Sequence, residues 1–419
     1  SRSSSPPGFG DRKRTTREQP LNYHATNRPA SVKITVALCL SVAVLEGFDI
    51  QAIGVAAPRL FPELGLEADQ MGWIFSIVNI GIVIGAAFGG RLADRIGRKP
   101  VFMGAVSMFG LFTLATAFAG SFASLFAVRL LVGLGFGAAL PNMMAVASEI
   151  SRPERRTITA AAMFCGLPFG GGFSALLTQI FSPETDWRVL FYIGGGLPLV
   201  IVPALYFWMT ETLQRGKVET AARAPIGEAL FSNGRASPTL LLWLTFFPTL
   251  LILYLILNWL PTLVAAQGLD PAVTPRASLW FNFGSIPGAL LFGLLVDRLG
   301  PRWPLAASYV ALVVSLALLG GSTTLGSIVF FSGAAGFFLM GANYSLYGVA
   351  AAYYPTSMRG TGSGASVAVG RVGAVVGPML AGTLLSQGLS ATQVILAMVP
   401  AAAIAGVSVF LLSFYRQAD

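Results

Sequence analysis

Twelve long apolar stretches fill the sequence between residues 33 and 415. A helix needs about 20 mostly apolar residues to cross the hydrocarbon core of a bilayer. No stretch alternates polar and apolar residues as a barrel strand does, so helices must satisfy the backbone in lipid. Only 11% of the 419 residues are charged, too few to cover the surface of a soluble protein. The sequence predicts an all-α integral membrane protein with twelve transmembrane helices.

The positions of the basic residues predict the orientation of these helices. Of the 27 lysines and arginines, 22 fall in tails and loops on the side of the N-terminus. Only Arg59, Arg188 and Arg276 fall in loops on the opposite side. Loops rich in Lys and Arg stay in the cytoplasm. We therefore expect both termini in the cytoplasm, with the chain in a bacterial inner membrane. The same asymmetry accounts for the net charge of +9 without a nucleic-acid partner.

An internal repeat divides the chain into two halves. Residues 90–99 follow the second stretch and residues 293–302 follow the eighth, and both read G-x-L-x-D-R-x-G-x-K/R. Parallel repeats of six helices are typical of transporters that bind substrate between the halves. The repeat predicts two pseudo-symmetric six-helix bundles, at 33–209 and 238–415. The predicted remaining segments are a disordered cytoplasmic tail at 1–32, a cytoplasmic linker at 210–237 and a short tail at 416–419.

The repeated loop has the features of a conformational latch. Its two glycines permit a tight turn, and its aspartate can pair with arginines or with a helix end. Such a pair would hold one conformation and break in the other. The alternative is a basic loop that only sets the topology. The predicted latch residues are Gly90, Asp94, Arg95, Gly97 and Arg98 in the first copy, and Asp297 and Arg298 in the second.

Four ionisable residues lie deep in the predicted spans: Glu46, Asp49, Arg129 and Arg371. Charges inside a membrane are costly and mark ion or substrate pathways. Glu46 and Asp49 share one face of the first helix. Because the only histidine, His24, lies in the tail, a proton relay in the membrane has to use these carboxylates. Asp49 is the first candidate for proton coupling and Glu46 the second. The alternative is a static ion pair that fixes helix packing.

The two intramembrane arginines come from opposite halves and could meet an anion between them. A guanidinium binds a carboxylate in bidentate geometry. The alternative for both arginines is structural pairing with Glu46, Asp49 or helix carbonyls. Polar and aromatic side chains could complete a site for an aromatic ligand, although packing or lipid contact is an equal alternative for each. These additional substrate-binding candidates are Asn142, Tyr254, Asn258, Asn282, Asn343, Tyr344 and Tyr347.

The motifs resemble those of a known family. The repeated loop is similar to the signature between the second and third spans of the major facilitator superfamily. The stretches 45–52, 129–137 and 369–378 resemble the aromatic acid:proton symporters of that superfamily. That family usually has D-G-x-D in the first span, where this chain has Glu46 in place of the first aspartate.

This resemblance implies the major facilitator fold and import of a hydroxylated aromatic carboxylate together with protons, by alternating access. It also implies functional positions at Asp49, Asp94, Arg129, Glu149 and Arg371, with Glu149 as a further residue of the conformational latch. The competing hypothesis is a drug or metabolite exporter driven by proton antiport. The intramembrane arginines favour an anion over the cations that such exporters often carry.

A membrane enzyme is disfavoured, because no His or Cys cluster and no nucleophile–base set is visible. No metal or cofactor is therefore expected. The expected partners are a small aromatic carboxylate, protons and the lipid bilayer, and the chain is expected to act as a monomer.

Overall fold

A computed structural model describes residues 29–150, 156–181, 186–209, 211, 226–270, 272–355 and 358–415. Within its helices, the side chains of residues 29–32, 147–150 and 156–162 are outside the description. The predicted tails, apart from the first helical turn at residues 29–32, and most of the linker at 210–237 lie outside the described residues. The described helices are α1 Pro29–Leu64, α2 Ala68–Ile96, α3 Arg98–Thr116, α4 Phe122–Ile150, α5 Arg156–Ile180, α6 Arg188–Trp208, α7 Ile226–Phe231, α8 Ala236–Ala266, α9 Pro275–Leu299, α10 Arg302–Gly320, α11 Leu325–Ala352, α12 Arg359–Ser386, α13 Ala391–Leu396 and α14 Met398–Leu412.

Twelve segments of the described chain are long and apolar enough to cross a membrane, as the sequence predicts. The short helix α7 lies in the predicted linker, and α13 and α14 together make the last span. The sequence predicts one continuous helix there, and the structure breaks it at Ala397. Pro400 explains the break, because it has no N–H to donate to the carbonyl four residues earlier and its ring crowds that carbonyl.

The sequence repeat recurs in the packing. In the first half α2 packs against α4 and α1 against α5, and in the second half α9 packs against α11 and α8 against α12. Glycines allow these close approaches. A Cβ on Gly81 would clash with backbone atoms of α4, and a Cβ on Gly288 would clash with the backbone of α11. In lipid the hydrophobic effect does not drive helices together. Small residues at the interface let the helix backbones approach closely, and van der Waals packing then stabilises the contact.

Because twelve spans separate the two ends of the described chain, both ends lie on one side of the bundle. We call this the terminal side and the opposite one the far side. The halves are joined on the far side, where Ser76 Oγ donates to the Val375 carbonyl (2.6 Å) and Arg276 Nε donates to Gln179 Oε1 (3.3 Å). The structure is therefore closed between the halves on the far side.

Gly72 is the residue at which this far-side closure is easiest to test. A Cβ there would lie 2.9 Å from the Pro378 carbonyl oxygen and 3.1 Å from the Met379 Cα, backbone atoms that cannot rotate away. We expect Gly72→Val to wedge the halves apart on this side. A cysteine placed at the buried Met71, with the native cysteines replaced, should then react several-fold faster with a membrane-impermeant maleimide.

The matched control for this wedge is Gly104→Val. A Cβ on Gly104 would have no packed neighbour within 4 Å among the described residues, so the added side chain should leave the reaction rate unchanged. Equal rates for Gly72→Val and the parent protein would contradict the closure of the halves at this point.

Candidate functional site

A cavity lies between the two halves, at the middle of the helices. It encloses about 690 Å³ between its lining atoms, including the part open to solvent. Its walls are mostly apolar, with Ile50 and Leu140 from the first half and Leu253 and Phe281 from the second. Its polar lining residues are Tyr254, Asn282, Ser285, Asn343, Tyr344, Tyr347 and Arg371. An apolar cleft with a few convergent polar groups is the usual form of a small-molecule site.

Arg371 on α12 supplies the one positive charge among the described residues that line this cavity. Its Nη1 donates a hydrogen bond to the Tyr254 hydroxyl at 2.9 Å, and Tyr347 and Glu46 lie within its electrostatic range. The side chain is only partly buried, and it lines the cavity. This corner is therefore suited to an anionic group.

Aromatic rings form the wall beside this corner. The Phe164 ring lies 5.4 Å from the Tyr344 ring and 6.2 Å from the Tyr347 ring, the second pair at an interplanar angle of 22°. The Tyr344 hydroxyl donates to the Phe164 carbonyl at 3.0 Å and so joins α11 to α5. Flat rings of this kind provide a surface on which another flat ring can pack.

Asp49 and Arg129 form a buried ion pair away from the cavity lining. Arg129 Nη1 donates to both carboxylate oxygens of Asp49, at 3.1 and 3.0 Å, and Thr113 Oγ1 donates to Asp49 Oδ1 at 2.8 Å. Both side chains are at most 1% exposed. Arg129 thus adopts the structural pairing that the sequence leaves as its alternative. The structure does not bring it together with Arg371 around a common space.

Glu46 interacts electrostatically with residues of both the ion pair and the cavity corner. It is within electrostatic range of both Arg371 and Asp49 and is only 3% exposed. None of the residues that the structure describes donates a hydrogen bond to its Oε2. The two predicted acids therefore differ, because Asp49 is fully engaged and Glu46 has an oxygen without a donor.

Two of the predicted asparagines do not line the cavity. The Asn142 amide donates to the Ala138 carbonyl (2.8 Å) and the Asn258 amide donates to the Tyr254 carbonyl (2.6 Å), each within its own helix. Asn282 does line it, and its amide also donates across the halves to Gln51 Oε1 at 2.9 Å. The predicted residues that the cavity brings together are Tyr254, Asn282, Asn343, Tyr344, Tyr347 and Arg371.

Gln51 is a buried partner of the cavity residue Asn282, and sequence reasoning missed it. Its Nε2 donates to the Leu257 carbonyl at 2.8 Å while its Oε1 accepts from Asn282, so one buried side chain of α1 binds both α8 and α9. The signal in the sequence was a glutamine in an apolar helix, two residues after Asp49. Glutamine has no ionisable group, so it does not stand out among the charged residues of the spans.

The predicted latch loop forms a tight turn at Gly97, whose φ of 113° lies in the region that favours glycine. Gly300, its counterpart in the second copy, has a φ of 75°. Gly90 does not take part in the turn, contrary to the prediction. It lies inside α2, which continues to Ile96 because the intervening residues carry no helix breaker.

The predicted latch charges are mostly exposed where the structure describes them. The Asp94 side chain is 58% exposed and lies 4.0 Å from the Arg98 guanidinium, across the turn at the start of α3. Arg95 is exposed in the last turn of α2, and Asp297 and Arg298 are exposed in the last turn of α9. The side chain of Glu149 lies outside the described residues.

Glu211, which follows the last helix of the first half, binds the latch loop through hydrogen bonds. Sequence reasoning did not identify it. Its carboxylate accepts from the backbone N–H groups of Arg98 (3.0 Å) and Lys99 (3.1 Å). These N–H groups open α3, where a negative charge is favoured by the helix dipole. The turn after α2 is therefore tied to the segment that follows α6.

Asp94→Asn should separate a latch from a loop that only sets topology. The exposed Asp94–Arg98 pair contributes at most about 1 kcal/mol here, so folding should be unchanged. We expect slower turnover with little change in apparent substrate affinity, measured as initial uptake rates over a range of substrate concentrations. Asp69→Asn, at the exposed far-side start of α2, is the matched control and should alter neither. A large affinity loss with normal turnover would contradict the latch.

Comparison with known proteins places this architecture among transporters. The profile of the Major Facilitator Superfamily matches residues 39–281 and 277–419. The chain is 40% identical to the 3-(3-hydroxyphenyl)propionate transporter of Escherichia coli, over 94% of this chain and 98% of that protein. It is 35% identical to the 4-hydroxybenzoate transporter of Pseudomonas aeruginosa, over 92% and 93% of the two chains.

Solved structures support the fold. The crystal structure of a D-xylose-proton symporter superposes with a TM-score of 0.78 at 14% identity, covering 92% of this chain and 98% of that one. At this identity the likeness concerns the fold alone. Together with the profile match, it confirms the superfamily resemblance seen in the loop motif, and the expectation of a transporter rather than an enzyme.

Proposed function

Since the chain belongs to the major facilitator superfamily, we propose that it imports 3-(3-hydroxyphenyl)propionate or a related hydroxylated aromatic acid together with protons. The observation that carries the proposal is the corner of the cavity formed by Arg371 and Tyr254, a cation that lines the cavity beside aromatic rings. The named substrates of the E. coli and P. aeruginosa relatives are aromatic carboxylic acids, which agrees with this chemistry.

In the proposed binding mode the substrate carboxylate pairs with Arg371. The Tyr254 hydroxyl accepts from Arg371, so its own proton is free to be donated to the same carboxylate. The aromatic ring then lies against Phe164 and the apolar wall, where burial of its faces stabilises it. Both halves of the chain contribute lining residues, and the proposed transporting unit is a monomer.

The proposed proton sites are Asp49 and Glu46. Glu46 has an oxygen without a donor in this conformation, so it is the acid that is open to bind a proton first. An ionised Glu46 competes with the substrate carboxylate for the charge of Arg371, and protonation removes that competition. Asp49 has to leave Arg129 before it takes a proton, which links its protonation to movement of α1 against α4. This geometry favours Glu46 over the order that the sequence suggests.

Alternating access requires that the far-side contacts break while terminal-side contacts form. The hydrogen bonds of Gln51 and Ser76 cross between the halves and must be given up. The repeated loops lie at the terminal side, where their charges would engage once the halves approach there. With both termini in the cytoplasm of a bacterium, the far side, where Ser76 and Arg276 join the halves, is the periplasmic side.

Ligand binding to the purified protein tests the substrate class. We would measure protection against thermal unfolding by aromatic carboxylates, by their neutral amides and by lipophilic cations. The proposal predicts protection by the carboxylates and little by their amides, because Arg371 gains its partner only from the anion. Protection by lipophilic cations alone would contradict it and favour the exporter hypothesis.

A further inference from the structure

The cavity contains an asparagine whose amide oxygen is not engaged. Asn343 on α11 lines the cavity and is only 3% exposed, yet none of the described residues donates a hydrogen bond to its Oδ1. The neighbouring polar side chains of the cavity already have hydrogen-bond partners. The Asn282 amide donates to Gln51 and to the Ser278 carbonyl, and Ser285 donates to the Phe281 carbonyl. Buried amides in proteins nearly always have partners, so Asn343 is placed to bind a ligand.

The position of Asn343 relative to the cationic corner defines what it can bind. Asn343 and Tyr347 are four residues apart on α11, so their side chains share one face about one turn, or 5.4 Å, apart. Tyr347 lies within electrostatic range of Arg371. A ligand that runs from Arg371 past Tyr347 along this cavity reaches Asn343, and Phe164 and Met340 line the same cavity.

A phenolic hydroxyl fits the free amide. It can donate to Oδ1 and accept from Nδ2 of the same side chain, whereas an ether oxygen can only accept and an unsubstituted ring can do neither. An analogue without the hydroxyl leaves the buried amide unpaired, which penalises its binding.

We propose that the Asn343 side-chain amide binds the ring hydroxyl of the substrate and makes the cavity select hydroxylated over unsubstituted aromatic acids. This proposal rests on the proposed function, since it takes the carboxylate to be held by Arg371. It assigns the discrimination between substrates to one residue, distinct from those that bind the carboxylate.

The test compares three acids that differ only at one ring position: 3-(3-hydroxyphenyl)propionate, its 3-methoxy analogue and 3-phenylpropionate. Binding of each is measured to the full-length transporter in lipid nanodiscs. The parent protein should prefer the hydroxylated acid by about tenfold, the size expected for one hydrogen bond to a buried amide. Asn343→Leu keeps the branched shape at Cγ and removes both hydrogen-bonding atoms, so the ratio should fall close to one while 3-phenylpropionate still binds.

Ser332→Ala is the matched control. Ser332 is on the same helix and its buried Oγ also has no partner among the described residues, but it does not line the cavity. It should leave the preference unchanged. A tenfold preference retained in Asn343→Leu would overturn the proposal. If that variant does not fold, Asn343→Ser is measured instead. Serine also lacks the amide, so the preference for the hydroxylated acid must fall in that variant as well.

The outcome in the parent protein separates this inference from the function on which it rests. Equal binding of the three acids would overturn the role of Asn343 and leave an aromatic acid transporter in place. No binding of any of them, by protein that melts cooperatively, would overturn the proposed function and the role of Asn343 with it.

Discussion

Asp49→Asn is expected to abolish accumulation of substrate against its gradient. Each pH unit across the membrane supplies about 1.4 kcal/mol per proton, enough for up to tenfold accumulation. Without the carboxylate this coupling is lost, and internal substrate should only reach the external concentration. The measurement is uptake into proteoliposomes under an inward proton gradient, with exchange of labelled for unlabelled substrate as the test that the variant still binds and moves it.

The ion pair with Arg129 complicates that variant, because Asn leaves a buried guanidinium without its counter-charge. Breaking a buried pair in this way costs about 3–5 kcal/mol of folding stability. The double variant Asp49→Asn with Arg129→Gln removes the unpaired charge as well. We expect it to recover thermal stability but not accumulation. Recovery of accumulation in the double variant would show that Asp49 only fixes helix packing, the alternative that the sequence left open.

Arg371→Lys is expected to weaken apparent affinity for the aromatic acid by about tenfold to a hundredfold, the range for a charge-assisted hydrogen bond. Lysine keeps the positive charge but loses the planar fork that binds a carboxylate through two N–H groups. It also cannot keep the described geometry toward Tyr254. The measurement is the concentration dependence of uptake and of equilibrium binding.

Tyr254→Phe is the partner experiment for this site. It removes the hydroxyl that Arg371 contacts but leaves the guanidinium and the ring, so we expect a smaller loss of affinity than for Arg371→Lys. An unchanged affinity in Arg371→Lys would move Arg371 to a structural role. The anion would then have to be bound elsewhere in the cavity.

The sequence predicts the spans well because membrane insertion depends on local apolar length, which one chain displays directly. It also finds the repeat, whose glycines Gly97 and Gly300 both take a positive φ. It cannot predict the rotation of each helix about its axis, which tertiary packing sets. Arg129 and Arg371 look alike in the sequence, yet one pairs with Asp49 and the other faces the cavity.

Contacts made across long sequence separations are also beyond the reach of sequence patterns. Gln51 contacts Leu257 and Asn282, more than 200 positions away, and its own helix gives no sign of these partners. Glu211 caps α3 from a loop that carries no motif of its own. The same holds for Asn343, because only the packed structure shows that this cavity-lining residue has a buried amide oxygen with no donor among the described residues.

The central claim is proton-driven import of an aromatic carboxylate. Its most direct test is uptake of radiolabelled 3-(3-hydroxyphenyl)propionate into proteoliposomes under an inward proton gradient, with and without an uncoupler. The account predicts that the acid accumulates above its external concentration and that this accumulation collapses when the uncoupler is added. Only other aromatic acids should compete with the labelled acid for uptake. Accumulation that is insensitive to the uncoupler would contradict it. So would movement of the acid only out of the vesicles, in exchange for protons that enter down their gradient.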